Sequence, residues 1–97
     1  MIRHIVFFTG GPGFARDEIR AGLQLLGDIP HALRFEVGEN LKIDQIGNEV
    51  DFVVYAEFAD EAALAAYKAH PTYAEATRKV RPMRDLRVAA DFRSLLE

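Results

Sequence analysis

The sequence predicts a small α+β domain: one antiparallel sheet of four strands with its helices packed on one face. Three observations predict it. The hydrophobic period alternates between two residues and about 3.6 residues in the order β-α-β-β-α-β. The chain has 97 residues, enough for one domain (1–97) and too few for two. Connection rules for that element order favour a single sheet with both crossovers on the same side.

Ile2 to Phe8 is nearly all apolar or β-branched, as a strand buried on both faces requires. Gly10-Gly11-Pro12-Gly13 breaks it and reads as a strand-to-helix turn. From Phe14 to Leu26, apolar residues recur at Ala15, Ile19, Leu23 and Leu26, one face of a helix. Asp17 and Glu18 near its start favour the helix dipole. Gly22, a weak helix former, points to a close approach to a neighbouring element. Gly27-Asp28-Ile29-Pro30 ends the segment.

Leu33, Phe35 and Val37 alternate with Arg34, Glu36 and Gly38, the period of a half-buried strand. Residues 39–50 form a polar connection with a turn signal at Gly47-Asn48. Phe52 to Phe58 is a second strand with two apolar faces, Phe52, Val54, Ala56 and Phe58 on one and Val53 and Tyr55 on the other. Asp60 is positioned to cap an alanine-rich helix that runs to about Ala69. Pro71 forces a break at His70 and starts a further helical piece to about Arg81. Leu86, Val88, Ala90 and Phe92 alternate with Arg87, Ala89, Asp91 and Arg93 in a last strand. The helices can cover only one face of this ferredoxin-like sheet. The first and third strands are apolar on both, so a second copy of the chain is expected on the open face.

Composition narrows the function. Apolar residues make up 49% and charged residues 28%, a globular balance. There is no cysteine, hence no disulfide framework or thiolate metal site. No apolar run is long enough to span a membrane, and the N-terminus lacks the shape of a signal peptide, so a cytoplasmic location is expected. Net charge is −3, but unevenly placed: residues 1–77 carry six basic and twelve acidic groups, residues 78–97 six basic and three acidic. The acidic body would repel a polyanion, so nucleic-acid binding is not expected. The arginines of the last strand read as a solvated face or a subunit contact. Histidines at 4, 31 and 70 show no ligand spacing, and no metal or other cofactor is expected. No Gly-x-Ser-x-Gly motif supports an acyl-enzyme route.

Four stretches carry a family resemblance: Met1-Ile-Arg-His-Ile-Val-Phe-Phe8, Glu36-Val-Gly-Glu-Asn40, Ala66-Tyr-Lys-Ala-His-Pro71 and Ala90-Asp-Phe92. In this order and spacing the chain resembles the stress-responsive A/B barrel domain family, whose members are dimeric α+β barrels. The resemblance implies a dimeric α/β barrel built from two such sheets. One branch is similar to plant polyketide cyclases of the olivetolic acid cyclase kind, which hold a polyketide between sheet and helices. That branch implies pocket roles for His4 and for Tyr67 on the second helix. Its catalytic histidine would fall two residues beyond Pro71, where this chain has Tyr73.

Each candidate has two readings. His4 shares a strand face with Ile2, Val6 and Phe8, so it is either a proton-transfer group lined by Val6 and Phe8 or a satisfied core histidine. Tyr67 lies on the helix stripe with Ala63 and Leu64. A nearby imidazole would ease loss of its proton, whereas a packing tyrosine would make one hydrogen bond. His70 is a pocket residue or a cap for backbone freed at the break. Tyr73 is a hydrogen-bonding stand-in for the absent histidine, though a phenol is a poor base at neutral pH.

Two functions remain. In the first, His4 and Tyr67 are catalytic, Val6, Phe8, His70 and Tyr73 bind substrate, and a hydrophobic enolisable or phenolic small molecule is cyclised or oxidised without a cofactor. In the second, the homodimer is a non-catalytic stress-response or interaction unit. There the phenylalanines Phe7, Phe8, Phe14, Phe35, Phe52 and Phe58 fill the space between sheet and helices.

Overall fold

The computed structural model describes residues 1–96. Its elements are β1 (Ile2–Gly10), α1 (Arg16–Gln24), a 3₁₀ turn (Leu25–Asp28), β2 (Arg34–Glu39), β3 (Phe52–Phe58), α2 (Glu61–Ala69), α3 (Pro71–Val80) and β4 (Arg84–Arg93). The strands form one antiparallel sheet in the order β2-β3-β1-β4, which is the ferredoxin-like topology that the element order predicts.

The first helix is shorter than its periodicity suggests. Gly13 adopts a left-handed φ of 83°, Ala15 stays extended without a side-chain cap, and the α-helix starts only at Arg16. Past Gln24 it tightens into the 3₁₀ turn ahead of Pro30. Asp60 caps α2 as expected, its carboxylate accepting from the Ala63 amide at 2.8 Å. At the break, the His70 imidazole accepts from the Thr72 amide at 3.1 Å and Pro71 opens α3. In the connection after β2 the bend falls before Gly47-Asn48. The Asp44 carboxylate closes it by accepting from the Ile46 and Gly47 amides.

Cross-strand partners share a face, so the register sorts the sheet. Phe52, Val54, Ala56 and Phe58 of β3 lie beside Ile2, His4, Val6 and Phe8 of β1 under the helices, where Ile19, Leu23, Tyr67, Ala76 and Val80 complete the core. Helix α1 presses on α3 at Gly22, where an added Cβ would sit 2.7 Å from Val80 Cγ2. The opposite face carries Ile5, Phe7, Val53, Val88, Ala90 and Phe92, and none of the described helices covers it. Phe7, Leu86, Val88 and Phe92 are exposed there. The phenylalanines therefore divide. Phe8, Phe52 and Phe58 are buried under the helices, Phe35 is half-buried against Gly27, Phe14 is exposed and Phe7 faces the open side.

Candidate functional site

Between the helices and the sheet lies a cavity of about 30 Å³. That is room for one or two waters. His4, Val6 and Phe8 of β1, Tyr67 and Tyr73 of the split helix, and Arg84 and Arg87 of β4 are among the residues that line it, with Leu23 and Val80 of the helices. Five of the six residues expected at a site thus meet around one space. His70 does not line it: its imidazole is spent on the α3 cap and stacks edge-on with His31 at 6.1 Å.

His4 is 1% exposed. Register places Asp91 directly opposite it on β4, and the Asp91 carboxylate engages Nδ1 in a short contact. A carboxylate can only accept, so Nδ1 carries the hydrogen and Nε2 is left for a ligand. Lys68 steadies the other Asp91 oxygen at 3.8 Å. Burial pushes the His4 imidazole below its ordinary pKa, and the Asp91 hydrogen bond and charge, acting the other way, do not fully offset it. His4 is thus a neutral imidazole at pH 7, with its base nitrogen fixed in direction.

Tyr67 is fully buried, packed against Phe58 at 4.9 Å, Tyr73 at 5.4 Å and His4 at 5.9 Å between ring centroids. Its hydroxyl has no hydrogen-bond partner among the described residues. Neither sequence expectation survives in full. The hydroxyl lacks the single bond of a packing tyrosine. No imidazole eases its ionisation either; burial raises its pKa, with the Tyr73 ring adding to the rise and Arg87 opposing it. Tyr67 is therefore a proton-bearing donor, not a phenolate. Tyr73 is half-buried, and its hydroxyl accepts from Arg87 Nη2 at 3.4 Å.

Asp91, Arg84 and Arg87 are the site residues that sequence reasoning missed. Asp91 lies in the Ala90-Asp-Phe92 stretch and shares the helix-side period of β4 with Arg87. That shared period was the available signal. The arginines of β4 are not simply a solvated face, because Arg87 and Arg84 line the cavity. Among the described residues, no group of three or more His, Asp or Glu side chains is placed to hold a metal ion. No described helix is long and apolar enough to cross a membrane.

Solved structures share this architecture. A dimeric ferredoxin-like protein of unknown function from Thermobifida fusca YX is 28% identical, with a TM-score of 0.78 over 94% of this chain and 88% of that one. A Dabb family protein with a ferredoxin-like fold from Mesorhizobium loti MAFF303099 is 27% identical, with a TM-score of 0.79 over 97% and 96%. A hydroxynitrile lyase from Passiflora edulis shares the fold at 19% identity, with a TM-score of 0.78 over 94% and 90%. Among curated proteins no match is found. The family model for the stress responsive A/B barrel domain matches residues 2–94. The chain belongs to the stress responsive A/B barrel domain family.

Proposed function

We propose that the protein is a homodimeric, cofactor-free small-molecule protein whose His4–Asp91 pair and Tyr67 hydroxyl act on an enolisable or phenolic ligand in the cavity beneath the helices. The observation that carries this reading is the Tyr67 hydroxyl. It is buried, protonated and unpartnered, and it lines the same cavity as His4. Leaving a buried hydroxyl unpaired costs about 1–3 kcal/mol, a cost that a bound oxygen acceptor would offset. The chemistry follows from the protonation states. His4 Nε2 would take a proton from an acidic carbon or phenol, and Asp91 would stabilise the imidazolium that forms. Tyr67 would donate a hydrogen bond to the developing enolate or phenolate oxygen. The cavity is much smaller than the roughly 300 Å³ of an ordinary ligand pocket. Binding therefore requires Tyr73 and Arg87 to swing outward. The uncovered apolar face and the dimeric Thermobifida relative support the homodimer. The expected setting is the cytoplasm.

Solvent-deuterium exchange at the acidic carbon of a 1,3-dicarbonyl probe tests the chemistry. The wild type should accelerate exchange over buffer. His4→Ala should cut that acceleration by about 10²–10⁴, the usual contribution of a general base. Tyr67→Phe should lower it too. Exchange equal to buffer for the wild type, or unchanged in both variants, would exclude proton transfer here. The second reading, a non-catalytic dimer, has one observation in its favour: Phe8, Phe52 and Phe58 are buried in the space between the layers.

A further inference from the structure

The basic character of the C-terminal stretch has no role in the proton transfer proposed above, yet the fold brings its arginines to the cavity. Arg84 and Arg87 both line it. Arg84 is half-buried, and its charge is disfavoured first by burial and then by the neighbouring Arg87 and Arg81 guanidinium groups. No described carboxylate pairs with any of these three arginines, although Arg3, Arg16, Arg20, Arg78 and Arg93 each have one. Arg87 instead donates a side-chain hydrogen bond to the Tyr73 hydroxyl. Crowded like charges without a counter-charge are destabilising, and more so where they are desolvated. In a protein with an acidic excess, two unpaired arginines lining one cavity, with the Arg81 charge acting on Arg84, mark a place for an anion. The unpartnered Tyr67 hydroxyl inside the same cavity is an independent sign of a ligand.

Resting on the reading of the cavity as a ligand site, we infer that its ligand is a small carboxylic acid. The carboxylate is held by the Arg84 and Arg87 guanidinium groups at the mouth, and an apolar body with a hydroxyl or carbonyl oxygen reaches the Tyr67 hydroxyl. Guanidinium is planar and donates two parallel hydrogen bonds, which suits a carboxylate. The apolar wall of Val6, Phe8 and Leu23 suits the body. Binding at the mouth would also release Tyr73 from Arg87, because one guanidinium edge would turn from the phenol to the anion. The movement that a ligand needs in order to enter is thereby driven by the ligand's own charge.

The test compares 4-hydroxybenzoate with its neutral amide, 4-hydroxybenzamide, by NMR titration of the full chain, with inorganic phosphate as a third probe. The acid should bind at least about tenfold more tightly than the amide, as expected for hydrogen bonds to charged groups. In Arg84→Gln and Arg87→Gln that ratio should collapse toward one, while in Tyr67→Phe both ligands should weaken and the ratio should persist. Equal affinity of acid and amide for the wild type overturns the carboxylate, yet leaves the cavity standing as a ligand site. So does phosphate binding without any preference for acid over amide. If neither aromatic probe perturbs the His4 or Tyr67 resonances, the ligand site itself fails, and the carboxylate with it.

Discussion

His4 is the residue whose environment most directly sets a measurable property. Burial lowers its pKa from the ordinary 6.5. Between that lowered value and 6.5 the unfolded chain binds a proton that the native state does not. Stability therefore rises with pH across this window and falls on acidification below about 6.5. The slope for one proton approaches at most about 1.4 kcal/mol per pH unit. Denaturation midpoints from pH 7.5 to 5 should show this limb in the wild type and lose it in His4→Gln. In Asp91→Asn the imidazole should titrate lower still, since both Asp91 contributions raise it; the His4 Hε1 chemical shift reads this directly. His4 and Tyr67 were legible in the sequence because strand and helix periods place them inward. Asp91 was not, because it sits on an edge strand whose partner register depends on tertiary pairing. The direction of the Tyr67 pKa was also hidden: burial raises it, and whether a neighbouring group would offset burial depends on tertiary placement that residue type does not reveal.

At the scale of elements, the two junctions most exposed to the chain's local chemistry are the start of α2 and the crossing of α1 on α3. Asp60→Ala removes the acceptor for the Ala63 amide and should cost about 1 kcal/mol in chemical denaturation. Gly22→Ala has a less obvious sign. Alanine is favoured over glycine in a helix by about 1 kcal/mol. Here its methyl would lie 2.7 Å from the buried, β-branched Val80, and overpacking of this kind costs about 1–3 kcal/mol. A net loss is expected, and the double variant with Val80→Ala should recover part of what the two single changes lose separately. The close approach was readable from a glycine in mid-helix; its partner was not. The break at His70-Pro71 was read with its cap because proline chemistry is local. The 3₁₀ ending of the first helix escaped because periodicity alone does not distinguish the two helix types.

The whole molecule is a slab of 37 × 32 × 16 Å with a radius of gyration of 13.6 Å. A compact chain of this length would have about 12.5 Å. One sheet under one helix layer leaves the other sheet face bare, and Phe7, between Val53 and Val88, lies at its middle. If two chains stack there, Phe7→Arg should give a monomer by light scattering, where the wild type gives a dimer. The thermal midpoint of the wild type should also rise with protein concentration, as linkage to association requires. A monomeric wild type would refute the stacking. The need for a cover was legible from two strands with apolar runs; the identity of the cover rests on the dimer test.

Strand β1 is first in the chain and interior in the sheet, and its neighbours β3 and β4 come from residues 52–58 and 84–93. Both partners of the run Ile5-Val6-Phe7-Phe8 are therefore distant in sequence, the nearer starting at Phe52 and the farther at Arg84. Such distant pairing slows folding relative to a chain held by local contacts, because the entropy of closing long loops is lost before the contacts that offset it form. This apolar run is thus open to misassociation until its partners arrive, and yield at high expression temperature should be governed by this delay more than by the stability of the finished fold.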